Sequence, residues 1–267
     1  MSNLALRVLT GVVALPLVGL LVLWDERLGF ALLVFTFCAL GLIELTAITL
    51  RSAPRAQRVA VVVTGVLLSI ALYVRPELAL LWLLAAMMVT AALILAHPGE
   101  IESASSRLGL AAFGVVYLGA FSAPLALLQR DVADGPFWVF VSIIVTFAND
   151  TGAYFAGRTL GRHKLYPVIS PSKTVEGAVG GLVGGLVSAL ACHATFFHGL
   201  TVRDCFLVAV PAAVIGPIGD LLESMIKRSA GVKDSGRMLP GHGGILDRVD
   251  ALLFVTAWIY AYTTHLR

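Results

Sequence analysis

Residues 28–50 read LGFALLVFTFCALGLIELTAITL, an unbroken apolar run with one charge, Glu44. A helix of about 20 apolar residues covers the roughly 30 Å hydrocarbon core of a bilayer. Backbone polar groups at that depth have no water to bond, so such a run crosses as a helix. Similar runs recur at residues 4–23, 59–74, 78–96, 108–128, 137–156, 174–197, 206–226 and 249–266. The expected fold is therefore an all-α, polytopic integral membrane protein of about nine transmembrane helices. Composition agrees: 58% of the 267 residues are hydrophobic and 13% charged, against about a quarter charged in soluble domains. A single arginine, Arg7, at the start of the first run, with no small-x-small cleavage site, favours a retained helix over a removed signal.

Lys and Arg accumulate in cytoplasmic loops. With a cytoplasmic N-terminus and nine alternating spans, only Arg27, Arg75, Arg130, Arg203 and Arg267 fall on the far side. The four lysines, Lys164, Lys173, Lys227 and Lys233, all lie in the last two cytoplasmic loops, residues 157–173 and 227–248, where their charge can converge on one ligand. The net charge of +3 reflects this topological bias, and a nucleic-acid partner is not expected. Cys38, Cys192 and Cys205 are odd in number and lack metal-ligand spacing, so they read as small buried hydrophobes.

No linker divides the chain, which reads as one membrane domain, residues 1–267, with unequal halves. Residues 1–136 are helix and short loop, with Glu44 the one acid well inside a span. Residues 137–267 carry Asp150, Glu176, Asp220, Glu223 and Asp250 in or at the ends of helices. A carboxylate at a helix centre costs about 2.5–3.5 kcal/mol on insertion scales. Five of them imply a water-filled cavity or a bound cation.

Helical spacing places Asp220, Ser224 and Lys227 on one stripe, while Glu223 stands four residues before Lys227 and can pair with it. If a helix resumes near Leu246, Asp247 and Asp250 share a face and can approach Asp220. Acid oxygens from Asp220, Asp247 and Asp250 suit Mg2+, which takes one or two carboxylates, waters and substrate phosphate oxygens.

The glycine-rich turn Gly241-His242-Gly243-Gly244 allows backbone N–H groups to approach an anion, with a helix start behind it. His242 either donates to a phosphate or orders its loop. In Ser170-Pro-Ser-Lys-Thr-Val-Glu-Gly177, Ser172 or Thr174 can cap the helix that follows, and Lys173 at that helix start is either a phosphate contact or a solvated cation. Gly177, Gly180, Gly181, Gly184 and Gly185 read as a ridge for close helix packing. Asn149 and Asp150, late in an apolar span, suggest a cavity role: metal ligand through water, nucleotide contact, or ion-pair partner for Lys173.

The order Ser224-x-x-Lys227-Arg228-x4-Lys233-Asp234, then Leu239-Pro-x-His242-Gly243-Gly244-x-x-Asp247-Arg248-x-Asp250, resembles the signature of phosphatidate cytidylyltransferases, also called CDP-diacylglycerol synthases. The segments from Asn149 and from Ser170 are similar too, so the resemblance runs from about residue 145 to the C-terminus. It implies a multi-helix inner-membrane enzyme, a homodimer, joining CTP and phosphatidate into CDP-diacylglycerol and pyrophosphate at the cytoplasmic face. It also implies Mg2+ at Asp220 and Asp247 and a second cation, K+, nearby. On this reading Asp250 supports the metals, and Lys173, Lys227, Arg228, Lys233 and Arg248 serve the triphosphate and the lipid phosphate. Asn149, Asp150, Ser172, Ser224, His242, Gly243 and Gly244 complete the substrate contacts. A CTP-dependent lipid kinase would use similar groups and release CDP instead of pyrophosphate. A cation-coupled transporter fits less well, because the polar residues crowd one membrane face and no inverted repeat is visible.

Overall fold

The computed structural model describes residues 3–24, 26–236, 238 and 243–267, with side chains other than those of residues 3–11 and 13. The regular elements among these residues are helices and one short hairpin. Helices α1 (Asn3–Leu23), α2 (Arg27–Thr49), α3 (Arg55–Val74), α4 (Ala79–Ala96), α5 (Ile101–Gly114) and α6 (Phe121–Asp131) lead into α7 (Gly135–Leu160). Strands β1 (Lys164–Tyr166) and β2 (Ser170–Thr174) follow, then α8 (Val175–Thr195), α9 (Val202–Ser229) and α10 (Leu246–His265). Among the described residues seven helical stretches are long and apolar enough to cross a membrane. One of these is the continuous stretch from Ile101 to Asp131. The 20-residue α10 is long enough too, but Asp247, Arg248 and Asp250 crowd its first turns.

The chain forms two compact units, Met1–Leu127 with Ser229–Arg248, and Leu128–Arg228 with Val249–Arg267. In the first, α2, α3 and the turn between α5 and α6 touch closely. A Cβ on Gly65 would sit 2.6 Å from Leu42 Cδ1, and one on Gly119 would sit 2.6 Å from the Gly65 carbonyl oxygen. Residues 115–120 form a π-helical turn just ahead of Pro124. Proline has no N–H for the carbonyl four residues back, and a widened turn is a common way to absorb the mismatch. Several buried polar groups in this unit find partners on neighbouring helices or loops. Ser69 Oγ lies 3.0 Å from Ser122 Oγ, and Gln57 Nε2 donates to the carbonyls of Leu93 and His97 at the end of α4. The Arg107 guanidinium caps the carbonyls of Pro98 and Glu100.

In the second unit α7 and α8 pack antiparallel along the glycine ridge. A Cβ on Gly152 would lie 2.4 Å from the Gly180 carbonyl oxygen, and one on Gly184 2.6 Å from that of Ala148. Pro211 inside α9 leaves the Leu207 carbonyl without its helical donor. The Trp258 indole N–H from α10 takes it at 2.9 Å. The start of α9 is fastened by a reciprocal cap: Thr201 N–H donates to Asp204 Oδ2 at 2.9 Å, and Asp204 N–H to Thr201 Oγ1 at 3.1 Å. Tyr262 Oη donates to the other Asp204 oxygen. Arg267 pairs with Asp204 at 3.3 Å and lies 5.0 Å over the Trp138 ring. This buried acid was not singled out from sequence; its signal was the spacing Thr201-x-x-Asp204 ahead of an apolar run.

Candidate active site

A cleft of about 500 Å³ opens in the second unit between α7, β2, α8 and α9, with Asn149, Asp150, Ser172, Lys173 and Asp220 on its walls. Each wall has a local cause. The β1–β2 hairpin, paired Lys164 with Thr174 and Tyr166 with Ser170, was not anticipated from sequence. Glu176 pins its base by accepting the backbone N–H groups of Arg162 and His163 and the His163 ring at 2.6 Å. Thr174 then caps α8, its Oγ1 accepting from Gly177 N–H at 3.0 Å. The hairpin thus delivers Lys173 next to the helix start.

Lys173 Nζ reaches Asp220 Oδ2 at 2.6 Å. Ser224 Oγ donates to Asp220 Oδ1 at 3.3 Å. One turn further, Lys227 Nζ pairs with the buried Glu223 at 2.6 Å, as their spacing suggested. Asn149, 3% exposed, donates Nδ2–H to the Ala212 carbonyl at 3.4 Å, tying α7 to α9. The α9–α10 contact is close because Gly219 has no side chain: a Cβ there would lie 2.5 Å from the Asp250 carbonyl oxygen.

That contact brings carboxylates together. Ligand oxygens of Asp220, Glu223 and Asp250 all lie within 4.8 Å of one another. Three carboxylates face two ammonium groups, Lys173 and Lys227, and Asp150 adds a further acid on the cleft wall. Like charges at that separation in an apolar helix pair are costly without more positive charge. The all-oxygen donor set suits a hard divalent cation. Glu223 joins this cluster as well as holding Lys227, a second role that pairwise spacing did not reveal. Arg158, also unassigned from sequence, lines the cleft, donating to Tyr154 Oη at 2.7 Å.

Arg228 is the penultimate residue of α9, and the remaining candidates lie on the polar stretch 229–248. Arg228, Lys233 and Arg248 are exposed, and Gly243 has φ +84°, a conformation glycine adopts without strain. Asp247 folds the loop by accepting the N–H groups of Ser235 at 3.3 Å and Gly244 at 3.0 Å. His242 lies outside the described residues. This loop packs within the first unit, where Glu44 accepts from Ser235 Oγ and from Leu246 N–H.

The model of the cytidylyltransferase family matches residues 5–266. The chain belongs to the cytidylyltransferase family. Similar curated proteins include phosphatidate cytidylyltransferases of Staphylococcus haemolyticus (strain JCSC1435), 45% identical over 123 residues, covering 46% of this chain and 47% of that protein. That of Staphylococcus saprophyticus is 40% identical over 145 residues, covering 54% and 56%. That of Staphylococcus aureus (strain N315) is 43% identical over 123 residues, covering 46% and 47%. The chain spans about half the length of the curated relatives it matches. As a cytidylyltransferase-family member with seven membrane-length apolar helices among its described residues, it is a membrane protein.

Proposed function

We propose that this protein is a phosphatidate cytidylyltransferase, joining CTP and phosphatidate into CDP-diacylglycerol and pyrophosphate. The observation that carries the reading is the Lys173–Asp220 pair on the wall of a 500 Å³ cleft, beside the trio Asp220, Glu223 and Asp250.

In this reaction an ionised oxygen of the phosphatidate phosphate attacks the α-phosphorus of CTP, one P–O bond forms, and the bond to pyrophosphate breaks. The attacking phosphate monoester is already largely ionised at neutral pH, so no protein nucleophile is required. What the protein supplies is alignment and charge neutralisation. Asp220, Glu223 and Asp250 would hold Mg2+, and the family signature adds Asp247. Bound there, Mg2+ would neutralise phosphate oxygens and fix their geometry. Lys173 and Lys227, held at 2.6 Å by Asp220 and Glu223, present ammonium groups that exchange carboxylate for phosphate when substrate arrives. Asn149 keeps α7 against α9, which sets the cleft width. Arg228, Lys233, Arg248, His242 and the Gly243-Gly244 turn serve the remaining phosphate oxygens, and Ser172 and Asp150 the nucleotide. The enzyme would work as a homodimer at the cytoplasmic face of the inner membrane, with K+ as a second cation. CTP would enter from water and the acyl chains remain in lipid.

The test is to give purified protein CTP labelled at the α-phosphate, Mg2+ and either phosphatidate or diacylglycerol. Label should enter the lipid fraction with phosphatidate alone, with stoichiometric pyrophosphate. Label recovered as CDP would assign the protein to lipid kinases instead.

A further inference from the structure

Glu44 lies in the last two turns of α2, whose other charged residue is Arg27 at its first position; it is 3% exposed and belongs to the half of the chain that the catalytic signature does not reach. Placing a carboxylate there is costly, and membrane anchoring requires no acid. Its contacts indicate what it does. One oxygen, Oε2, accepts from Ser235 Oγ at 3.1 Å and from Leu246 N–H at 3.0 Å. These two donors bracket the polar loop, one near its start and one at the first residue of α10. The other oxygen, Oε1, is buried without a hydrogen-bond partner among the described residues and is directed at Gly236, where a Cβ would lie 2.2 Å from it. Gly244 is equally tight: a Cβ there would lie 2.5 Å from Oε2 and closer still to Ser235 Oγ.

We infer that Glu44 is a positioning residue for the cytidylyl-transfer loop, gripping both of its ends so that Lys233, Gly243, Asp247 and Arg248 are presented in one fixed arrangement. Asp247 closes the inner turn through Ser235 N–H and Gly244 N–H, and Glu44 anchors that same Ser235 through its hydroxyl. Two carboxylates, one from the loop and one from α2, therefore share the task of shaping the segment, and two glycines make room for the second. The role rests on hydrogen-bond acceptance by a single oxygen, so an amide can fill it, whereas an isosteric hydrocarbon cannot.

The inference rests on the proposed activity, and its test has one readout that does not. Wild type, Glu44→Gln, Glu44→Leu and Gly236→Ala are purified, and each is assayed for label transfer from CTP to phosphatidate and for tryptic cleavage after Lys233 and Arg237. Glu44→Leu keeps volume and suits an apolar helix, yet its kcat should fall about a hundredfold, the scale of a catalytic group displaced by about 1 Å. Its loop should be cut about ten- to a hundredfold faster, as expected when buried hydrogen bonds are lost. Gly236→Ala should behave likewise, while Glu44→Gln should stay within about threefold of wild type in both assays, since its amide oxygen can accept both bonds. Wild-type activity with an unimpaired Glu44→Leu would overturn the inference, as would a Glu44→Gln as inactive as Glu44→Leu, because charge and not positioning would then be the requirement. An inactive wild type whose loop is protected, and a Glu44→Leu loop that is cut, would defeat the proposed activity and leave the grip of Glu44 on the loop intact.

Discussion

Substituting Gly152 by alanine should damage the cleft without touching any charged group. The added Cβ would lie 2.4 Å from the Gly180 carbonyl oxygen, 3.1 Å from the Gly180 carbonyl carbon and 3.4 Å from Gly184 Cα. All three are backbone atoms of α8, which no rotamer change can move. Ordinary contact begins near 3.4 Å, so the two helices must separate by about 1 Å, an overpacking cost of roughly 1–3 kcal/mol. Asn149 and Asp150 lie within one turn of Gly152 on α7, and Lys173 stands at the start of α8. The same ångström therefore widens the cleft, and a displacement of that size can cost on the order of 100-fold in rate. The comparison variant is Gly109→Ala, whose Cβ meets nothing within 4 Å and which should gain about 0.5–1 kcal/mol from helix propensity. Thermal unfolding in detergent and label transfer from CTP, measured on both variants, check the argument. A Gly152→Ala protein as stable and as active as Gly109→Ala would refute the close α7–α8 packing and the cleft geometry built on it.

Asp220→Asn removes the partner of Lys173 and one acid of the trio, and should lower label transfer at least 100-fold while the protein still elutes as a folded species on size exclusion. Asp247→Asn should be comparably inactive, and because Asp247 also accepts two loop N–H groups, tryptic cleavage of the loop should rise as well. Lys227→Arg keeps the charge but changes donor geometry beside the buried Glu223, so its activity should fall further than that of Arg51→Lys, measured under the same conditions. Trp258→Phe strips the donor from the Leu207 carbonyl and should destabilise the protein by about 0.5–1.5 kcal/mol in thermal unfolding, with KM within about twofold of wild type.

Helix positions were legible in the sequence because the bilayer imposes length and apolarity together, and α2, α3 and α9 start within four residues of the runs that announced them. The glycine ridge from Gly177 to Gly185 was legible for the same local reason. In the site, the Glu223–Lys227 pair and the Thr174 cap follow from spacing along one helix. What spacing does not carry is the meeting of different helices. The Lys173–Asp220 pair depends on where the hairpin at residues 164–174 points, and strands of three and five residues leave almost no periodic signal. Glu223 as a third acid in the cluster depends on the α9–α10 contact at Gly219. Glu44 was visible as an anomaly, the one acid in its half of the spans, but its partners lie about 190 to 200 positions away in the chain.

The central claim is that the acids at the ends of α9 and α10 bind the divalent ion that handles the nucleotide. Electron paramagnetic resonance of Mn2+ titrated into the purified protein tests it directly, with and without CTP. The account predicts saturable Mn2+ binding by wild type that tightens with CTP and is lost in both Asp220→Asn and Asp250→Asn. Equal Mn2+ binding by wild type and these two variants would contradict it.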